Sequence, residues 1–163
     1  MTAACDALVI GGGPAGATTA LLLAQAGWSV IVLERKRFPR RKVCGEYLSG
    51  TSLPLLDRLG VGDAFRERAG PDVTHVGLFT GDATLRAPLP RPHVGGGRPA
   101  WGRALSRDRL DTLLLERVVA AGADVRQPCA ASSFEEGDDG FVVRVEDGAH
   151  GKVAELRARV VVA

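Results

Sequence analysis

Gly11, Gly13 and Gly16 stand at the spacing that lets a backbone cradle a nucleotide diphosphate, with Pro14 and Ala15 completing the turn between them. Gly11 permits a tight exit from a strand, Gly13 lets backbone N–H groups approach a pyrophosphate, and Gly16 lets the following helix pack close to a sheet. The N-terminus of that helix then faces the anion with free N–H groups and the positive end of its dipole. Glu34, roughly 20 residues past the glycines, stands where a carboxylate accepts hydrogen bonds from a ribose. A glycine turn alone is common, and an ordinary βαβ unit with a tight connection is the competing explanation.

The elements around these residues favour the nucleotide site. Ala7 to Ile10 is a continuous apolar run, as in a strand covered on both faces. Ala17, Ala20, Leu21 and Ala24 recur at helical spacing up to a stop at Gly27, and a second strand, Ser29 to Leu33, ends on Glu34. Strand, turn, helix, strand and acid therefore arrive in the order that a dinucleotide fold requires.

The run Arg35-Lys36-Arg37-Phe38-Pro39-Arg40-Arg41-Lys42 is open to three readings: a nucleic-acid or targeting patch, a solvated loop, or a cationic lining for an anionic cofactor. Its place at the end of the second strand favours the third, with Arg35 and Lys42 as the residues to single out. Further on, Arg107 falls in the first turn of a helix, where a cation opposes the helix dipole; a phosphate partner or plain solvent exposure would each account for it.

The 163 residues suffice for one domain with a real core, and 45% apolar with 25% charged residues is the balance of a soluble globular protein. A net charge of +2 does not argue for nucleic acid or a membrane surface. Cys5, Cys44 and Cys129 are widely separated, and no CxxC pair or histidine spacing supports a disulfide framework or a metal site. Reduced thiols in the cytoplasm are the expectation. The apolar N-terminal stretch is interrupted too early to span a membrane and lacks the features of a signal peptide.

Between the two ends, Leu53, Leu56 and Leu59 mark a short helix closing at Gly60, and Asp63 is expected to cap another through Ala69. Val73 to Thr80 and Ala83 to Arg86 read as a hairpin, and the Pro- and Gly-rich stretch 87–103 as a loop. The stretch 73–103 is thus expected to be an excursion toward the substrate side of a single domain covering 1–163. Ser106 caps a helix whose apolar face is Leu110, Leu113, Leu114, Val118 and Ala121. Cys129 to Glu135, Phe141 to Glu146 and the segment from Lys152 onward form a three-stranded meander, and Val160 to Ala163 closes as a buried parallel strand. The expected class is α/β, a Rossmann-like domain with a parallel sheet and a β-meander. His75, His93 and His150 fall in a hairpin, a loop and a turn, where solvated histidine is the commoner state, so no catalytic residue is named.

Four features, in order, resemble the FAD-dependent oxidoreductases that include geranylgeranyl reductases and aromatic-hydroxylase-type flavin monooxygenases. They are the Gly11-x-Gly13-x-x-Gly16 turn with Glu34-Arg35; Lys42-Val43-Cys44-Gly45-Glu46 with Leu48-Ser49; Ser106-Arg107 with Leu110-Asp111; and the terminal Val160 to Ala163 strand. The resemblance implies that Glu34 holds the adenosine ribose, that the Gly13 to Gly16 backbone holds the pyrophosphate, and that Arg107 reaches FAD from the far side. It also implies that the Cys44-Gly45 turn lies near the flavin, where Cys44 is a small contact residue; no second cysteine is near in sequence for redox exchange. NAD(P)H is the implied reductant and a small, hydrophobic molecule the implied substrate. Relatives continue past such a strand into a glycine-and-acid turn and a substrate domain, so the chain is expected to be the N-terminal portion of a longer flavoprotein, inactive alone. A non-catalytic dinucleotide-binding module, with NAD as its ligand, is the alternative.

Overall fold

Ala7, Leu8 and Val9 carry no polar side-chain group and are removed from solvent, as a strand covered on both faces requires. They form the middle of β1 (Ala3–Ile10), the first strand of a computed structural model that describes residues 3–92 and 100–163. The triplet Gly95-Gly96-Gly97, with His93 and Pro99, lies outside the described residues. From β1 the chain turns into α1 (Pro14–Gln25), with Pro14 at its first position where the missing N–H costs no helical bond, and then enters β2 (Val30–Leu33). β1 and β2 pair in parallel. The expected strand–turn–helix–strand unit is present.

Two compact units make up the chain. Met1–Lys42 together with Asp108–Ala163 forms the first, and Val43–Arg107 the second, so the stretch 73–103 belongs to a longer separate segment. Within the second unit, β3 (Tyr47–Leu48) is followed by a 3₁₀ turn at Gly50–Ser52, α2 (Leu53–Arg58) and α3 (Gly62–Arg68). The two helices contact each other where Leu53, Leu56, Leu59, Val61 and Phe65 are buried. Asp63 does not cap α3: the cap position is Val61, without a side-chain bond, and Asp63 lies in the first turn, where it accepts from Arg66 Nη1 at 3.1 Å. An acid in the first turn is favoured by the helix dipole, which explains why it resembles a cap in the sequence.

β4 (Asp72–Val73), β5 (His75–Thr80), β6 (Ala83–Pro88) and β7 (Gly102–Ala104) complete this unit. β5 and β6 form the expected hairpin, but Val73 is not part of it; β4 and β3 both pair with β7. β7 lies inside the stretch read as loop, because three residues flanked by prolines and glycines carry no periodicity of their own.

The first unit resumes along α4 (Arg107–Ala120), which starts directly after Ser106 as expected and buries Leu110, Leu113, Leu114 and Val118. β8 (Asp124–Arg126), β9 (Cys129–Gly137), β10 (Gly140–Asp147) and β11 (Val153–Val162) follow. β9, β10 and β11 make the antiparallel meander, and β11 pairs in parallel with β1, giving the strand order β8-β2-β1-β11-β10-β9. The sheet curls, because the Cys129 N–H at the head of β9 donates to the Glu34 carbonyl at the end of β2 (2.8 Å). Leu8, Ile31, Leu33, Val143, Val145 and Leu156 pack into one core cluster inside that curl. Among the described residues no helix is long and apolar enough to cross a membrane.

Candidate functional site

The turn after β1 is set by backbone constraints. Gly11 has φ +107°, a region that side chains rarely adopt, and its N–H donates to the Leu33 carbonyl at 2.7 Å, tying the turn to the end of β2. A Cβ on Gly16 would lie 1.9 Å from the Gly11 carbonyl oxygen and 3.3 Å from Val9 Cγ1. Glycine at 16 is therefore required by the turn's own carbonyl as much as by the strand.

The first helical bond of α1 runs from the Ala17 N–H to the Gly13 carbonyl (2.8 Å), which leaves the Ala15 and Gly16 N–H groups without helical acceptors. Gly13 at the cap position supplies no side-chain bond. Two backbone donors and the positive end of a twelve-residue helix thus lie at a turn where, among the described residues, no side chain bonds to them, the arrangement that binds phosphate oxygens.

Glu34 is only 4% exposed, and every polar group it carries is engaged. Its N–H donates to the Arg126 carbonyl (3.0 Å), while its carboxylate accepts from the Gly12 N–H at Oε2 (3.0 Å) and from the Lys36 N–H at Oε1 (2.8 Å). Two amides occupy about half of the lone-pair sites of a carboxylate, so hydroxyl donors can still be accepted. The side chain also links the glycine turn to the start of the basic run, a role that the sequence does not show.

A cavity of about 350 Å³ opens here in the first unit. Gly11, Gly13, Glu34, Arg35 and Lys42 line it, so five of the expected site residues meet around one space. Pro14, Ala15 and Gly16 form the adjoining first turn of α1. Arg40, Cys129, Ala130 and Ala131 line the same cavity and were not anticipated. Arg40 is one cation among six in its run, and Cys129 arrives only through the curl of the sheet.

Cys44, Gly45 and Arg107 belong to the second unit and are grouped there. Glu46 has φ +57°, unusual for a residue with a side chain, and its carbonyl accepts the Leu105 N–H at 2.9 Å, which ties the Cys44 turn to the chain just before α4. The Cys44 sulfur accepts from the Glu46 N–H (3.4 Å) and from the Arg107 side chain; these two bonds, in that order, hold the exposed thiol below its ordinary pKa. A thiol partner thus accompanies the cation at the start of α4. A Cβ on Gly45 would meet open space, so packing within the chain does not demand glycine there. Cys5 and Cys129 are buried, and desolvation pushes both thiols up. His150 forms an exposed pair with Asp147 (2.8 Å).

With this geometry in view, comparison with known proteins gives a consistent result. A family model described as an FAD binding domain matches residues 4–163. The chain is 32% identical to rifampicin monooxygenase of Streptomyces venezuelae over 157 residues, covering 96% of this chain and 31% of that protein. It is also 32% identical to digeranylgeranylglycerophospholipid reductase 2 of Methanopyrus kandleri over 165 residues, covering 97% and 36%. Among solved structures, the myxobacterial FAD-dependent halogenase CndH superposes with a TM-score of 0.82 at 26% identity, covering 98% of this chain and 36% of that one. The chain spans about a third of the length of such curated relatives. The glycine turn, the buried acid after β2 and the match along nearly the whole sequence lead to one conclusion: this chain belongs to the FAD-binding domain family of FAD-dependent reductases and monooxygenases.

Proposed function

We propose that the chain supplies the adenosine-diphosphate half of the cofactor site in an FAD-dependent, NAD(P)H-using oxidoreductase that either saturates an alkene or hydroxylates its substrate. The observation that carries this reading is the cavity in which Glu34, anchored by the Gly12 and Lys36 amides, faces the same space as Gly11 and Gly13 beside the open N-terminus of α1. The Ala15 and Gly16 amides hold the pyrophosphate, Glu34 accepts from the ribose hydroxyls, and Arg35 and Lys42 offset phosphate charge. Redox chemistry is what the flavin supplies when bound; the protein contributes binding, orientation and electrostatics.

Cys44, Gly45 and Arg107 are proposed as cofactor contacts as well, on the support of their mutual hydrogen bonding and of the family resemblance. The reductase and monooxygenase relatives support a small, hydrophobic substrate, and the separated, unpaired cysteines support a reducing cytoplasm.

The test is to purify the chain, add FAD and follow flavin absorbance and fluorescence through gel filtration. A folded preparation that stays colourless sinks the reading. Parallel titration with NADH distinguishes the alternative: binding tighter than that of FAD would make the nicotinamide dinucleotide the primary ligand.

A further inference from the structure

Arg40 differs from the cations around it. Arg35, Lys36, Arg37, Arg41 and Lys42 are exposed, whereas the Arg40 side chain is 26% exposed and its guanidinium lies 5.2 Å from the centroid of the Phe38 ring. Phe38 is itself fixed, since its N–H donates to Gln127 Oε1 at 3.0 Å. From this support Arg40 Nη2 reaches to 3.6 Å from Glu34 Oε1, the oxygen that also accepts the Lys36 N–H. Arg40 Nε is buried and has no hydrogen-bond partner among the described residues.

These contacts combine in one way. A guanidinium in a charge-assisted bond to a carboxylate sits at about 2.7–2.9 Å. At 3.6 Å the Arg40 charge offsets the buried carboxylate without a hydrogen bond to Oε1, and both residues line the same cavity. A buried donor without an acceptor is costly, so Arg40 is held in place by Phe38 and Glu34 rather than by its own best hydrogen bonds.

We infer that Arg40 is the positioning residue of the ribose site: braced on the Phe38 ring, whose backbone Gln127 holds, it orients Glu34 so that the carboxylate selects the 2′,3′-diol of an adenine nucleotide. The inference rests on the FAD reading above. It goes beyond it in assigning the recognition of the diol to a pair, one member of which does not touch the hydroxyls. A cation acting only on phosphate would favour every adenine diphosphate equally, with or without the diol. A positioning residue acts on the difference.

The test is calorimetric titration of the full 163-residue chain with FAD, ADP and 2′,3′-dideoxy-ADP, in wild type, R40M and R40K, with thermal melting as the check on folding. Wild type should favour ADP over the dideoxy nucleotide by about tenfold, the scale of hydrogen bonds to a charged group. R40M should reduce that ratio to about twofold, with dideoxy-ADP affinity unchanged, because only the orientation of Glu34 is lost. R40K should give an intermediate ratio, since an ammonium lacks the planar fork that reaches Phe38 and Oε1 together. A ratio kept at the wild-type value in either variant, or an equal loss for both nucleotides, overturns the positioning role. Wild-type chain that binds FAD but does not distinguish the two diphosphates overturns this inference alone; wild-type chain that binds neither FAD nor ADP overturns the reading beneath it as well.

Discussion

Glu34 serves the fold and the site at once: its carboxylate closes on the Gly12 and Lys36 amides and still faces the cavity. Glu34→Ala should weaken FAD binding by about 1–3 kcal/mol, the range for hydrogen bonds to a charged acceptor. Titration reads that loss, and an unchanged affinity would remove Glu34 from the ribose. The cysteines allow a second residue-scale prediction. Cys44 is exposed and its thiol lies below the ordinary value of 9.0, while Cys5 and Cys129 lie above it. Iodoacetamide should therefore label Cys44 ahead of the other two, with a pH midpoint below 9.0. Arg107→Met should move that midpoint upward, since a neighbouring cation favours the thiolate. Mass spectrometry of labelled peptides checks both outcomes.

At the scale of elements, the strands of the first unit are joined at the end opposite the glycine turn by a small polar network. Asp6 in β1 accepts from the Ser29 hydroxyl (2.7 Å) and N–H (2.9 Å) just before β2, and from Arg159 of β11 (3.1 Å). The Arg159 guanidinium also lies 5.7 Å from the Trp28 ring centroid. The Ser29 bonds, first the hydroxyl and then the amide, with Arg159 after them, lower the Asp6 carboxyl from 3.8 to about 2. A depressed folded-state value means that the ionised form is favoured by folding. The stabilisation is therefore complete above pH 3.8 and disappears as the pH falls through about 2. Asp6→Asn should be less stable than wild type at neutral pH, and the difference should shrink across that window. Urea melts of both proteins at stepped pH would show it, and a constant difference would break the assignment.

Across the whole molecule, burial is unevenly shared. Phe65 is 0% exposed between short helices, whereas Leu78 and Leu85, paired across the β5–β6 hairpin, are 62% and 66% exposed. Phe65→Ala should destabilise by about 3–5 kcal/mol through lost burial and a cavity. Leu78→Asp should change stability by no more than about 0.5 kcal/mol, as expected of an exposed position without special contacts. Equal losses in denaturant melts would mean that the hairpin is covered in solution. The unequal burial arises within the second unit: Phe65 lies on α3 where it packs against α2, while β5 and β6 form a two-stranded sheet of their own whose side chains face solvent.

Wherever local pattern dictates local structure, the sequence by itself determined the outcome. The apolar run of β1, the Gly11 to Gly16 turn, the period of α1, the acid after β2 and the alternation through the meander are each settled by neighbours within a few residues, which is why a dinucleotide site and most of the first unit were legible. Contacts distant in sequence were not. That Cys129 returns to Glu34, that Arg40 alone of its run is drawn inward over Phe38, that β7 pairs two other short strands, and that Arg107 meets Cys44 rest on pairings separated by 29 to 95 residues or on packing that composition does not encode. A glycine turn reports its own geometry because its backbone constraints are local; which side chains complete the cavity around it depends on how the sheet curls, and only the tertiary structure decides that.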